Sequence, residues 1–177
     1  MKVISRTADP TELSIPHRSR LYRLKPIGAK TPLVESMTGY VGRLAEAYDV
    51  PVQVLFRNEL GPLLARPQLY TANHAASFLR STGHAINGKD HLAHDTILAL
   101  DTLLGGYDLH LHTLTMCAWA DAISSHDLVR AIRAWCPVCY QTWLEAGQTL
   151  YEPLLWAVTV VTVCPVHNQY LKTFSTS

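Results

Sequence analysis

Between Asp90 and Asp127 the sequence contains neither lysine nor arginine. Charge is sparse throughout, at 16% of residues against 48% apolar, the profile of a chain that packs a core rather than one that stays disordered. The formal net charge is only +1. A surface that grips nucleic acid all over needs many cations to displace counterions from phosphate, so this balance argues against such a surface and leaves room for a local patch. Membrane-spanning apolar runs are absent as well. The most apolar stretch, Leu154 to Val163, is too short and too rich in threonine, and the opening residues MKVISRTADPTELS lack the apolar core of a signal peptide. The expectation is a soluble intracellular protein of one domain or two small ones, for the 177 residues can bury roughly 70% of their unfolded surface.

Catalytic signatures are missing too. There is no glycine-rich phosphate loop, no G-x-S-x-G elbow and no paired acidic motif of nuclease type. None of the nine histidines is followed two residues later by glutamate, which removes the H-x-E half of a zinc deaminase site. The chain is therefore not expected to be an enzyme.

What is present is unevenly placed. Residues 1–80 carry a net +5 and residues 81–177 a net −4. Arg18, Arg20, Arg23, Lys25 and Lys30 crowd the front, either as a solvated arm or as a contact surface for phosphate or an acidic partner. Residues 1–30 read as an irregular basic arm. Thr31 then suits an N-cap, Pro32 a first helical position and Glu35 the closing residue of a capping box. Val34, Met37, Val41, Leu44 and Ala45 recur at helical steps. Asp49-Val-Pro51 breaks the pattern before a short helix through Val52, Leu55 and Phe56, the outline of a helix-turn-helix. In this second helix Gln53, Arg57 and Asn58, with the basic arm, are the candidate contacts for RNA or DNA. A short helix over 71–81 is followed by a connector from Gly83 to Gly88. A second helical pair is expected from His91 to Leu104, stopped by Gly105-Gly106, and from a cap at Asp108 to Ala120. Ser125 to Trp135 reads as one more helix.

The strongest chemical signal comes last. Cys136-Pro-Val-Cys139 and Cys164-Pro-Val-His167 are two knuckles whose two-residue spacings each supply two soft or borderline donors from one tight turn. Four such donors close a tetrahedron and leave no position for substrate water, so Cys136, Cys139, Cys164 and His167 are expected to hold one structural Zn²⁺. The long gap between the knuckles must enclose an extra element. Glu152-Pro-Leu-Leu-Trp156 reads as a short helix, and Thr159 to Val163 as a strand into the second knuckle. A thioredoxin-like redox role for the C-x-x-C would need a surrounding βαβ sheet that the pattern does not offer. His91, His94, His110 and His112 read as surface or half-buried residues, Cys117 as core, and Trp135, Trp143 and Trp156 as the packing between zinc module and helices.

The expected fold class is thus mostly α: a basic arm (1–30), a helical region with helix-turn-helix units (31–128) and a small α+β zinc-ribbon or knuckle module (129–177). Several stretches together resemble the TniQ family of transposition target-selection proteins. They are Arg20-Leu-Tyr22, Thr31-Pro-Leu-Val-Glu35-Ser36, Tyr40 with Arg43-Leu-Ala45, Leu104-Gly-Gly-Tyr-Asp108-Leu and Leu114-Thr115. The zinc part adds Ala134-Trp-Cys-Pro-Val-Cys139, Glu152-Pro-Leu-Leu-Trp156 and Cys164-Pro-Val-His167. The resemblance spans about residues 18 to 172.

It implies an adaptor of Tn7-like and CRISPR-associated transposons that links a target-recognition complex to a TnsC-like AAA+ ATPase. That complex would be an RNA-guided CRISPR effector with its guide RNA, and target DNA would be reached mainly through the assembly. No membrane and no small-molecule substrate are implied, and the setting would be the bacterial cytoplasm, at the nucleoid during transposition. Two alternatives are a TnsD-like protein that binds its DNA site directly and a thiol redox protein. Many family members carry a second cysteine pair after the C-P-x-H knuckle. None follows His167 here, where the sequence is either a natural short form or trimmed, and a missing second pair would be expected of the guided adaptor.

Overall fold

The computed structural model describes residues 18–64, 72–106, 110–122 and 128–173. Residues 1–17, the expected cap Asp108 and the expected helix start at Ser125 lie outside them. The described chain is mostly helical with one two-stranded sheet.

Helix α1 (Met37–Ala47) buries Met37, Tyr40, Val41, Leu44 and Ala45, the face its periodicity predicts. It begins later than its sequence suggests. Thr31 does not cap it: its hydroxyl donates to Gly28 O at 2.8 Å and accepts from Leu33 N–H at 3.2 Å, which closes a turn. Gly28 sits at φ 65°, and a Cβ there would lie 2.6 Å from Leu33 O, so the turn requires glycine. Val34 to Ser36 cannot be helical because their backbone is spent elsewhere. Leu154 N–H donates to Val34 O and Ser36 N–H to Glu152 O, each at 2.7 Å. The N-cap is therefore Ser36, whose hydroxyl accepts from Gly39 N–H at 3.1 Å. Ser36→Ala is expected to cost about 1 kcal/mol, or roughly 2–4 °C in the thermal midpoint followed by circular dichroism.

After α1 the chain turns through Asp49 at φ 53° into α2 (Val52–Leu55), which runs on as one π-helical turn (Phe56–Leu60) and a 3₁₀ turn (Gly61–Leu63). Phe56 is fully buried there against Phe78 of α3 (Ala72–Ser81), with ring centroids 5.2 Å apart. A 3₁₀ segment, Gly83–Asn87, takes the place of the expected connector. Helix α4 (His91–Leu104) buries Leu92, Thr96, Ala99, Leu100, Leu103 and Leu104, and Gly105 ends it in the left-handed region at φ 80°.

The next expected helix does not form among the described residues. Two 3₁₀ segments, Leu111–Leu114 and Met116–Ala122, are separated by an extended Thr115. Thr113 and Thr115 hydroxyls donate to His110 O and His112 O, local bonds that compete with a continuous helix. Residues 128–133 are likewise non-helical, and Ala134–Trp135 is strand β1. It pairs antiparallel with β2 (Lys172–Thr173), Ala134 opposite Thr173 and Trp135 opposite Lys172. Between them lie α5 (Pro137–Glu145) and α6 (Leu154–Ala157).

Two apolar clusters result. The larger joins α1, α2, α4 and the 3₁₀ segments with Leu154 and Val158, and the smaller joins Cys136, Cys139, Cys164 and Trp156. Helix α6 serves both, since Leu154 enters the first and Trp156 the second. No helix among the described residues is long and apolar enough to cross a membrane.

Candidate metal centre

Each knuckle is shaped by its proline and its turn. Cys136 occupies the N-cap position of α5 and Pro137 its first turn, where a fixed φ suits the helix and the missing N–H costs nothing. The first helical turn then brings Cys139 back beside Cys136. The second knuckle is a tight reversal: Asn168 N–H donates to Cys164 O at 2.9 Å, and Cys164 N–H to Gln169 O at 2.8 Å. Asn168 turns the corner at φ 52°, and Val163 bridges Tyr170 across it. The expected strand from Thr159 is reduced to this single bridge. Instead, the Arg130 guanidinium donates to Val158 O at 2.7 Å and Val161 O at 2.5 Å, so a side chain replaces a ladder partner. The β1–β2 pairing clamps the residues just before the first knuckle to those just after the second.

Cys136, Cys139, Cys164 and His167 consequently meet, with ligand atoms all within 4.8 Å of one another. The Cys139 and Cys164 sulfurs are 3.7 Å apart, against an edge of about 3.8 Å for a tetrahedron with metal–sulfur bonds of about 2.3 Å. His167 Nδ1 lies 3.6, 3.2 and 3.8 Å from the sulfurs of Cys136, Cys139 and Cys164. The three cysteines are buried and free of disulfides. Their electrostatics ask for a cation. Burial, with the neighbouring Cys164 and Cys136 thiols, pushes the Cys139 thiol far up. At Cys164 burial also opposes ionisation, but the backbone N–H groups of His167 and Val166 outweigh it and hold the thiol down at about 7. Three thiols packed this closely cannot all ionise unless a positive charge sits among them. The group fits a metal ion in donor type, number and spacing.

Aromatic rings wall the centre. Trp156 is buried, stacks on Trp143 at 5.8 Å and meets Tyr140 at 5.7 Å, while Trp143 stacks on Tyr151 at 4.5 Å. Burial pushes the Tyr140 phenol up to about 12. Trp135, Trp143 and Trp156, expected to pack the module onto the helices, all belong to the cluster around the ligands.

A family model described as TniQ matches residues 26–171, a span that contains α1, both knuckles and everything between them. The chain belongs to the TniQ family. No curated protein matches it. Membership gives the chain a transposition-associated role in target selection, in a family of non-catalytic targeting domains.

The residues expected to touch nucleic acid fall in two groups in this TniQ chain. Several are engaged internally. Arg20 forms an ion pair with Glu59, which raises its pKa, chiefly through the side-chain hydrogen bond. Arg23 Nε donates to Leu104 O at 3.0 Å, at the carbonyl end of α4 where a cation is favoured. Arg57 Nε donates to Asn58 Oδ1 at 2.9 Å. Around them Arg20 and Leu21 N–H donate to Leu103 O at 2.8 and 3.0 Å, and Leu21 is buried, so the described part of the basic arm lies docked on the end of α4. Arg18, Lys25 and Lys30 are exposed, as is Gln53 on α2.

Cys117 is half-buried rather than core, its sulfur 3.7 Å from Gly88 O. His91 and His94 are exposed, His110 and His112 meet edge-on at 6.1 Å, and none of the four joins a metal-ligating group among the described residues. Sequence reasoning missed two features. Glu35 is not a capping residue but a fully buried ion-pair partner of Arg43. Arg130 and Arg133 belong to a cleft, and one signal for them was available: they are the only cations between Lys89 and Lys172.

Proposed function

We propose that this TniQ chain is a transposition adaptor. It couples a target-recognition complex, RNA-guided through a CRISPR effector and its guide RNA, to a TnsC-like AAA+ ATPase. One structural zinc is held by Cys136, Cys139, Cys164 and His167. When bound, the ion supplies cross-linking and charge neutralisation in a module too small to fold on apolar packing alone.

One observation supports the adaptor over a direct reader of DNA sequence. Within the front basic group, Arg20 and Arg23 are spent on protein acceptors, and Arg57 on its neighbour Asn58. A sequence reader aims such groups from a recognition helix at base edges. Residues 110–122, where a second reader helix was expected, hold two 3₁₀ segments and no lysine or arginine. The exposed Arg18, Lys25, Lys30 and Gln53 suit weak backbone contacts within an assembly.

The test is binding. The purified chain is expected to co-elute with an AAA+ transposition ATPase, and to bind free duplex DNA weakly and without sequence preference. Tight, sequence-dependent DNA binding with a steep salt slope would replace the adaptor with the direct selector. A C-x-x-C that cycles with thiols, in a chain without stoichiometric zinc, would replace both with a redox protein.

A further inference from the structure

Beside the metal centre, sharing Trp156 with it, a cleft of about 760 Å³ opens between α1, α3, the 3₁₀ segment Gly83–Asn87, the strap 130–134 and α6. That volume lies in the range of sites that engulf a ligand rather than graze it. Its walls are largely apolar, with Val41, Val52, Leu79, Ile86 and Ile132 among them. Its charge has one dominant sign. Arg80, Arg130 and Arg133 line it with His84, against Glu152 as the single carboxylate among the described residues. Glu152 is already paired with Arg133 at 3.2 Å. Arg80 is exposed and has no acidic partner among the described residues. The acidic Glu46 and Asp49 belong to a separate shallow notch beyond Gly42 and Val52.

Hydrogen-bonding capacity is as lopsided as charge. Two buried side-chain atoms lack a partner among the described residues, Arg130 Nε and Trp156 Nε1, and both residues line this cleft. Both atoms are donors. On the strap, the backbones of Ala131 and Ile132 make no hydrogen bond to described residues, although Arg130 N–H before them is bonded to Ala157 O at 2.8 Å. Side by side, the cleft offers a strap whose backbone at Ala131 and Ile132 has no partner among the described residues, an excess of positive charge and apolar walls.

We infer that this cleft receives a short extended segment of a protein partner in which acidic side chains stand next to apolar ones. The unpartnered backbone groups of Ala131 and Ile132 supply main-chain hydrogen bonds to it. Arg80, without an acidic partner among the described residues, selects a carboxylate, and Val41, Val52, Leu79 and Ile132 take the apolar side chains. Nucleic acid fits less well. Its bases need an exposed aromatic face on which to stack, whereas Trp156, the one Trp, Tyr or Phe of this lining among the described residues, is 1% exposed. The inference rests on the adaptor reading only in taking the occupant to be protein.

Two substitutions test it without threatening the fold. Arg80→Glu reverses an exposed charge. Gly42 lies in α1, lines the cleft, and has open space where a Cβ would stand. Gly42→Leu would therefore plug the cleft while improving helix propensity. A random short-peptide library displayed on phage would be panned against the zinc-loaded full chain, and the enriched peptide resynthesised with a fluorophore for anisotropy titration. Enrichment of sequences with Asp or Glu beside Leu, Ile or Phe is expected, with binding weakened at least about tenfold by either substitution. Replacing the peptide's acids by amides should weaken it similarly.

The inference is overturned if nothing enriches, if neutral or basic peptides enrich, or if neither substitution changes peptide affinity. It is also overturned if a labelled DNA strand, rather than the peptide, loses affinity in Arg80→Glu and Gly42→Leu. An ATPase that binds both variants as well as the parent sinks the cleft and leaves the adaptor reading standing. Acidic peptides that bind while no ATPase does would do the reverse.

Discussion

Replacing Cys139 with serine, or withdrawing the metal with a chelator, is expected to release the aromatic cluster of the C-terminal part while α1 and α4 stay folded. The cluster around the four ligands contains Trp135, Trp143 and Trp156, three of the four tryptophans of the chain. Its apolar surface is too small to hold it without the ion. Structural zinc contributes roughly 10–16 kcal/mol of apparent binding energy in finger peptides, so losing a ligand removes more than the remaining contacts can replace. The helical core depends on this part far less, drawing chiefly on Leu154 and Val158 from it. Tryptophan emission should therefore shift to the red with only a modest loss of helical circular dichroism. Elemental analysis should find one zinc per chain before chelation and none after. An unchanged emission spectrum in the metal-free chain would sink the structural role.

Acid should act on the same centre, and the direction follows from the thiols. Without a metal the Cys139 thiol is pushed up by burial and by its neighbours, so it stays protonated at neutral pH. Cys164, held down at about 7, is then only partly ionised. Binding requires thiolates and a neutral imidazole, so loading expels protons, and apparent affinity rises with pH and falls in acid. A metal titration in weakly buffered solution should release protons, and competition with a chelator should show weaker binding at lower pH.

The legible parts of the molecule are those in which cause and consequence are close in sequence. α4 could be read because its buried residues recur on one face and Gly105 stops it in the only conformation the chain needs there. The metal ligands could be read because each knuckle is four residues long and its proline sets the turn. What was missed depends on distant partners. Thr31-Pro32 has the composition of a helix start, but Val34 and Ser36 are committed to Leu154 and Glu152, so α1 begins at Met37. These paired segments are two of the stretches that resemble the family. Thr159 to Val163 has strand composition without a strand, because Arg130 takes the carbonyls a neighbour would have bonded. The cleft was invisible for the same reason, since its walls come from several separate stretches of chain.

Glu35→Ala is expected to be the most damaging single change outside the metal centre. Its carboxylate is fully buried and receives Arg43 in a fork, Nε to Oε1 and Nη2 to Oε2, each at 2.6 Å. A third donor, Ile27 N–H, reaches Oε2 at 3.2 Å, and Arg43 also donates to Lys25 O at 3.1 Å. Two charges thus tie the stretch 25–27 to α1 and fix the approach of Val34 to Ser36 toward α6. Truncation at Glu35 leaves the largely buried guanidinium of Arg43 without its counter-ion and a backbone N–H without an acceptor. Breaking such a pair from one side costs about 3–5 kcal/mol, which for a chain of this length lowers the thermal midpoint by on the order of 10 °C. Arg43→Ala should cost a similar amount, since it strands the carboxylate. The informative variant is the double replacement Glu35→Met with Arg43→Leu, which removes both charges and keeps much of the volume. If the damage comes from an uncompensated charge rather than from lost packing, the double variant will melt closer to the parent than either single variant does. Additive losses in that cycle would assign the cost to packing instead, and the pair would then be a spacer between arm and helix rather than an electrostatic lock.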